Sequence, residues 1–277
     1  MRSLLVIAAL LLAGNPVDDA LASFKAGEYA KAAESAEKVK AEDPLYAKAR
    51  YLVGESRLAL GDAAAAEKAF RGGLEKKPES GPLLTGLGRA LTAAGSHEEA
   101  ARSLEKAVKA DPKDAVARRA MGESLLARGK APEARKELEA AFKLDGKDPL
   151  TCRALVELLV KQDDLDAAEA YAGACRAADP KSAMGDFLRG VVLDKRKKGR
   201  DAIEAYEAAL AKDPKFLDAH KNLAILCIAD NPVYTDEVRT KKAFLHFGKY
   251  FDLGGKDEEL RQTYLTIKGF LEGSGGK

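Results

Sequence analysis

A period of 34 residues constrains this chain more than any other feature. Residues 47–80 hold two short amphipathic segments, a Gly61-Asp62 turn between them and a proline exit at Pro78. The pattern then returns. Gly54 becomes Gly88 and Gly122, then Gly190 after a valine at Val156; Ala66 becomes Ala100, Ala134, Ala168 and Ala202. Pro78 becomes Pro112, Gly146, Pro180 and Pro214. A segment with one apolar stripe at helical spacing cannot bury that stripe alone, so identical hairpins must stack on one another. The chain of 277 residues is long enough for two globular domains, but the period makes it an all-α solenoid.

Composition agrees with helices packed through small side chains: 46% hydrophobic, 32% charged, 6% aromatic and no Trp. The formal net charge is +2, from 46 basic and 44 acidic residues. That balance offers no global field for nucleic acid, and no nucleic-acid partner is expected. Ahead of the repeats stand Arg2 and an apolar run at residues 4–13. Ten residues are too few for a membrane span, which needs about 20. They fit the core of a signal peptide over residues 1–14, predicting an exported, periplasmic or envelope-associated chain with no integral span. Leu11-Leu12-Ala13-Gly14 is close to a lipidation site, but Asn15 stands where the cysteine must be. Ala20-Leu21-Ala22 also satisfies a cleavage pattern, inside the first predicted helix.

Asn15-Pro16 followed by Asp18 and Asp19 reads as a helix start. An atypical first hairpin turns at Gly27, its second helix spanning 29–41. Five repeats then run without insertion from 47 to 216. A seventh unit starts in register at 217, with a stretched turn at 229–235 and a lengthened second helix. The solenoid thus spans 15–255 and stops at Gly254-Gly255; a capping helix over 256–271 and a flexible tail at 272–277 follow. The turn residue at the fifteenth repeat position is Gly in the first units, Asp163 in the fifth and Lys197 in the sixth. Lysine enters the left-handed region poorly, so Gly199 is expected to carry the bend of the sixth turn.

These positions together, Gly at eight, Ala at twenty, Phe, Tyr or Leu at twenty-four and Pro at thirty-two, resemble the tetratricopeptide repeat over residues 16–252. The resemblance implies a right-handed α-solenoid of about seven helix-turn-helix units with a C-terminal capping helix. It also implies a concave face, lined by the first helix of each hairpin, that binds peptides or proteins and carries no catalysis. One departure is plain. The bulky aromatic of the fourth position is replaced by Arg50, Leu84, Arg118, Cys152, Asp186 and His220. The packing there is expected to be looser or more polar.

Motifs for catalysis, cofactors or metals are missing. His97, His220 and His246 have no metal-ligand or triad companion at useful spacing, and Gly86-Leu87-Gly88 lies within a helix and makes no phosphate loop. Cys152 and Cys175 sit at the start of one helix and the end of its partner. They are either a disulfide, which an exported chain permits, or two small packing residues. The basic run 195–198 reads as an anion-facing turn or a solvated one, bracketed by Asp194 and Asp201.

By the resemblance, the groove is lined by Lys48, Tyr51, Glu55, Thr85, Arg89, Arg119 and Glu123. Further along it runs through Arg153, Glu157, Lys161, Phe187, Asp194, Lys195, Lys221 and Ile225. Arg119–Glu123 and Arg153–Glu157 have the spacing of pairs within one helix, while Arg89, Arg119 and Arg153 could instead grip an acidic partner segment. The Lys/Asn set of the family's carboxylate-clamp subset is not matched. Six of the chain's 17 Phe and Tyr fall in its last 34 residues, as a cap or an aromatic docking patch. The function expected is a non-enzymatic scaffold or adaptor for protein–protein interaction at the bacterial envelope. Narrower readings are an assembly factor for a pilus or outer-membrane complex, and a regulatory module for a small ligand or cell-wall fragment.

Overall fold

A computed structural model describes residues 15–229 and 236–274. The signal-peptide segment 1–14, the stretched turn beyond residue 229 and the tail's last residues, 275–277, lie outside them. The described residues contain fifteen helices and no strand. They belong to two compact units, Met1–Leu144 and Asp145–Lys277. The first unit holds α1 (Pro16–Lys25), α2 (Tyr29–Glu37), α3 (Tyr46–Ala59), α4 (Ala63–Lys76), α5 (Gly81–Ala93), α6 (His97–Ala110), α7 (Ala115–Ala127) and α8 (Ala131–Leu144). The second holds α9 (Pro149–Lys161), α10 (Leu165–Ala178), α11 (Met184–Lys195), α12 (Gly199–Lys212), α13 (Leu217–Ile228), α14 (Asp236–Asp252) and α15 (Glu258–Ser274).

Local chemistry sets the helix ends. Asn15 caps α1, its side chain accepting from the Val17 amide at 3.0 Å, with Pro16 at the first helical position. Asp62, Asp114, Asp148 and Asp164 cap α4, α7, α9 and α10 in the same way. Helix α2 ends at Glu37, four residues before the expected end. Helix α15 continues to Ser274, through the first residues expected to be tail. Close packing follows from the small residues: a Cβ at Gly54 would lie 2.5 Å from the buried Phe70 ring, and one at Gly190 2.6 Å from Tyr206.

The turns correct one expectation. Gly27, Gly61, Gly95 and Gly129 take φ of 76°, 79°, 79° and 72°; Asp163 and Lys197 take 59° and 62°. Lys197 therefore adopts the glycine conformation itself, and Gly199 is the first residue of α12. Stacking of the hairpins overrides the residue's local preference.

At the fourth repeat position Arg50 lies over the Tyr46 ring at 5.4 Å and Leu84 is buried, while the other four residues are held by specific cross-links. Arg118 donates to Glu137 at 2.8 Å and to the Pro112 carbonyl at 2.8 Å. Cys152 is joined to Cys175 by a disulfide, with Cα atoms 6.1 Å apart. Asp186, 2% exposed, meets Arg176 at 2.9 Å and Lys212 at 2.5 Å. His220 lies 2.9 Å from His246, nitrogen to nitrogen. Each cross-link ties the start of a hairpin's first helix to a second helix packed beside it.

Candidate partner-binding groove

In the first unit, α1, α2, α3, α5 and α7 enclose a concavity of about 480 Å³. Phe24 and Tyr29 stand at one end, their rings 5.3 Å apart edge to face. Leu58, Ala59, Thr92, Ala93 and Ala120 line its wall with small or apolar groups. Its charges are matched internally. Arg89 Nη1 donates to both carboxylate oxygens of Glu55, at 2.8 and 2.9 Å. These two residues hold the same repeat position, 34 residues apart. Arg119 donates to Glu123 at 2.8 Å, as the helical spacing predicts, and its own side chain is only 8% exposed. The arginines thus act as wall braces tied to neighbouring carboxylates.

Tyr51 does not line this concavity. Its ring packs against the core at 6.2 Å from Phe70, and burial, reinforced by the Glu55 charge and opposed by Arg89, pushes its hydroxyl above the usual tyrosine range. Thr85 is buried and Lys48 is exposed.

In the second unit, Arg153 leaves Glu157, which is exposed, and binds Asp218 at 2.5 Å. Its guanidinium lies over the rings of Phe187 and Phe216, at 5.3 and 5.9 Å. Phe187 is a core residue, 3% exposed and packed on Phe216 and Tyr206 at 4.8 and 5.9 Å. Longer reach to a planar stacking site wins over the pair within one helix, because an exposed pair at that spacing contributes only about 0.2–0.5 kcal/mol. Lys221 is half-buried, and Lys161, Lys195 and Ile225 are exposed. Burial raises the Asp194 carboxyl above its usual range against the opposing charge of Lys197.

The histidine pair escapes sequence reasoning. Its members are 26 residues apart on α13 and α14, with no motif to connect them. His220 Nε2 lies 3.0 Å from the Pro214 carbonyl, which only accepts, so Nε2 carries a proton, and in the neutral pair His220 Nδ1 accepts from His246 Nδ1. Burial and the neighbouring His220 and Lys242 push the His246 pKa down to about 4. Cys227 is a free, buried cysteine, its thiol pushed up to about 11 chiefly by burial. Among the described residues no three His, Cys, Asp or Glu side chains group to hold a metal, and no helix is long and apolar enough to cross a membrane.

Stacked helical hairpins with a concavity walled by first helices define a class, the helical-repeat interaction proteins. This chain belongs to the tetratricopeptide repeat family: two of the family's profiles match, one over residues 57–123 and 91–150, the other over 8–81, 153–215 and 195–231. Solved structures share the fold. A tetratricopeptide repeat protein from Parabacteroides merdae is 14% identical, with 91% of this chain and 97% of that one covered at a TM-score of 0.68. The Cut9–Hcn1 hetero-tetramer of APC/C is 18% identical over 86% of this chain, at a TM-score of 0.62, and this chain spans 48% of that one. A thermophilic member from Thermus thermophilus is 19% identical, with 65% of this chain and 98% of that one covered, at 0.57. A search of curated protein sequences finds no match. The fold is that of a protein–protein interaction scaffold.

Proposed function

We propose that the chain is a non-enzymatic adaptor of the bacterial cell envelope that seats a partner segment in the concavity of its first unit. The observation that carries this reading is a preformed hollow of about 480 Å³ whose lining charges are already paired, Glu55 with Arg89 and Glu123 with the buried Arg119. Such a wall selects by shape, by the Phe24–Tyr29 aromatic end and by a few fixed polar groups. It does not select by net charge. An amphipathic or extended segment with apolar side chains suits it better than the acidic segment that three free arginines would hold. A preformed site is ordered before binding, which lowers the entropic cost of association.

Ala59→Trp with Ala93→Trp tests the site. Both alanines are exposed, so the variant fills the hollow without disturbing the core. Cross-linking in the native cell is expected to capture a partner with the wild-type chain and to lose it with the variant. Unchanged capture overturns the reading. The envelope assignment draws on the apolar N-terminal run and on the Cys152–Cys175 bond, a linkage that persists in oxidising compartments. Thiol trapping in intact cells is expected to find both cysteines protected; free thiols together with a cytosolic fraction would defeat it. The Cut9–Hcn1 neighbour, which shares this fold, is a hetero-tetramer, and association with a second protein is the mode of action proposed for this chain. Assembly of a pilus or outer-membrane complex is a narrower form of the same proposal.

A further inference from the structure

The first unit has a second hollow, outside the groove, in which basic side chains outnumber acidic ones. Helices α4, α5 and α6 enclose about 450 Å³. Its floor is apolar, built from Leu74, Pro78 and Leu87. On its rim Arg71 is committed, donating to Glu67 at 2.8 Å and to Glu99 at 2.6 Å. Arg102, Lys106 and Lys109 are different. All three are exposed, line the hollow and make no ion pair among the described residues. The acids beside them are Glu105, also exposed, and Glu99, whose carboxyl is held below its usual range chiefly by Arg71 with a smaller contribution from Arg102.

Their spacing along α6 is i, i+4, i+7. It sets three cations on one helix face over about 10 Å, a comb that matches carboxylates repeated at the same interval. The corresponding hollow of the second unit, three repeats along, is built differently. Arg176 and Arg189 stand where the first has Leu74 and Leu87, and Arg176 is spent on Asp186. An apolar floor with a rim in which bases outnumber acids is therefore a property of the α4–α6 hollow and not of the repeat as such.

We infer that the α4–α6 hollow is a second docking site, separate from the groove, for an acidic peptide segment of a partner protein that places one or two apolar side chains on Leu74 and Leu87 between carboxylates facing Arg102, Lys106 and Lys109. The scaffold then holds two segments at once, one chosen by shape in the groove and one by charge on the second-helix side. Charge on the rim sets the encounter rate and the salt dependence, while the apolar floor sets the residence time.

The test uses the full-length chain and a fluorescein-labelled peptide with three glutamates at i, i+4, i+7 around two leucines, followed by anisotropy. Saturable binding that weakens as salt is raised is expected. Arg102→Glu with Lys106→Glu and Lys109→Glu is expected to weaken it by about tenfold or more, because three attractive contacts become repulsive ones. The all-Gln counterpart, which keeps side-chain length and helix propensity, is expected to lie between the two. Far-UV circular dichroism checks that both variants remain folded. Four results each overturn the proposal: no saturable binding, equal affinity of wild type and the Gln variant, equal binding of a peptide with lysines in place of the glutamates, or stronger binding of a single-stranded oligothymidylate than of the acidic peptide.

Discussion

Lys197 shows at the level of one residue how much a repeat can impose. An exposed lysine held at φ 62° does what glycine does at four other turns, at a cost of about 1–2 kcal/mol. Lys197→Gly should return part of that strain, offset by the extra freedom glycine has when unfolded, for a net gain of up to about 1 kcal/mol in urea unfolding. Asp163, which tolerates the same region, should gain less. The buried histidines make a second residue-scale prediction. His246 titrates near 4 in the fold against an ordinary value of 6.5, so folding favours its neutral form. That contribution is complete above about pH 6.5 and is lost as the pH falls toward 4, because the unfolded chain takes up the proton first. Urea midpoints at pH 7 and pH 5 should therefore differ more in the wild type than in His246→Gln. Equal pH shifts in the two would remove the histidine from the account.

At the level of helices, the pairs that pack are Gly54 with Phe70 and Gly190 with Tyr206. Gly54→Ala should cost roughly 1–3 kcal/mol through overpacking, and Phe70→Leu should relieve part of it, which a double-mutant cycle measures. The Cys152–Cys175 bond closes a separation of 23 residues, so reducing it should lower stability by about 3 kcal/mol on the loop-entropy account. Comparing unfolding with and without dithiothreitol checks this. What could be read from residues alone follows from the same physics. Glycine, alanine and proline recur because backbone approach and helix termination recur, and these are local demands. The groove was harder to read. Arg119–Glu123 is an i, i+4 pair and visible as such. Glu55–Arg89 joins equal positions of successive repeats, and Arg153 reaches Asp218 two repeats on; both depend on stacking distances that no single helix contains. Phe187 appeared as a groove residue because a position rule assigns a face without knowing that Arg153 covers it. The partners of the fourth position were likewise hidden, since they lie at different places on the facing helices.

On the scale of the whole chain, stability is a sum over hairpins and their nearest neighbours, spread over two compact units, with no single core to lose at once. Helix loss by circular dichroism and labelling of the buried Cys227 thiol should therefore have different midpoints in urea; coincident curves would mean one cooperative unit. A stack of near-identical parts also has a hazard of its own, since any first helix fits tolerably against many wrong second helices. The fourth position bears on that hazard. An arginine with a glutamate, two cysteines, an aspartate with two cations and two histidines are mutually incompatible pairings. Shifting the register by one repeat would set Cys152 against Ala141 or Ala209, and would put Ala178 or His246 in place of the Lys212 that meets Asp186. Four of the hairpins thus carry their own address, and a position that departs from the family's aromatic becomes the means by which similar parts find their proper order.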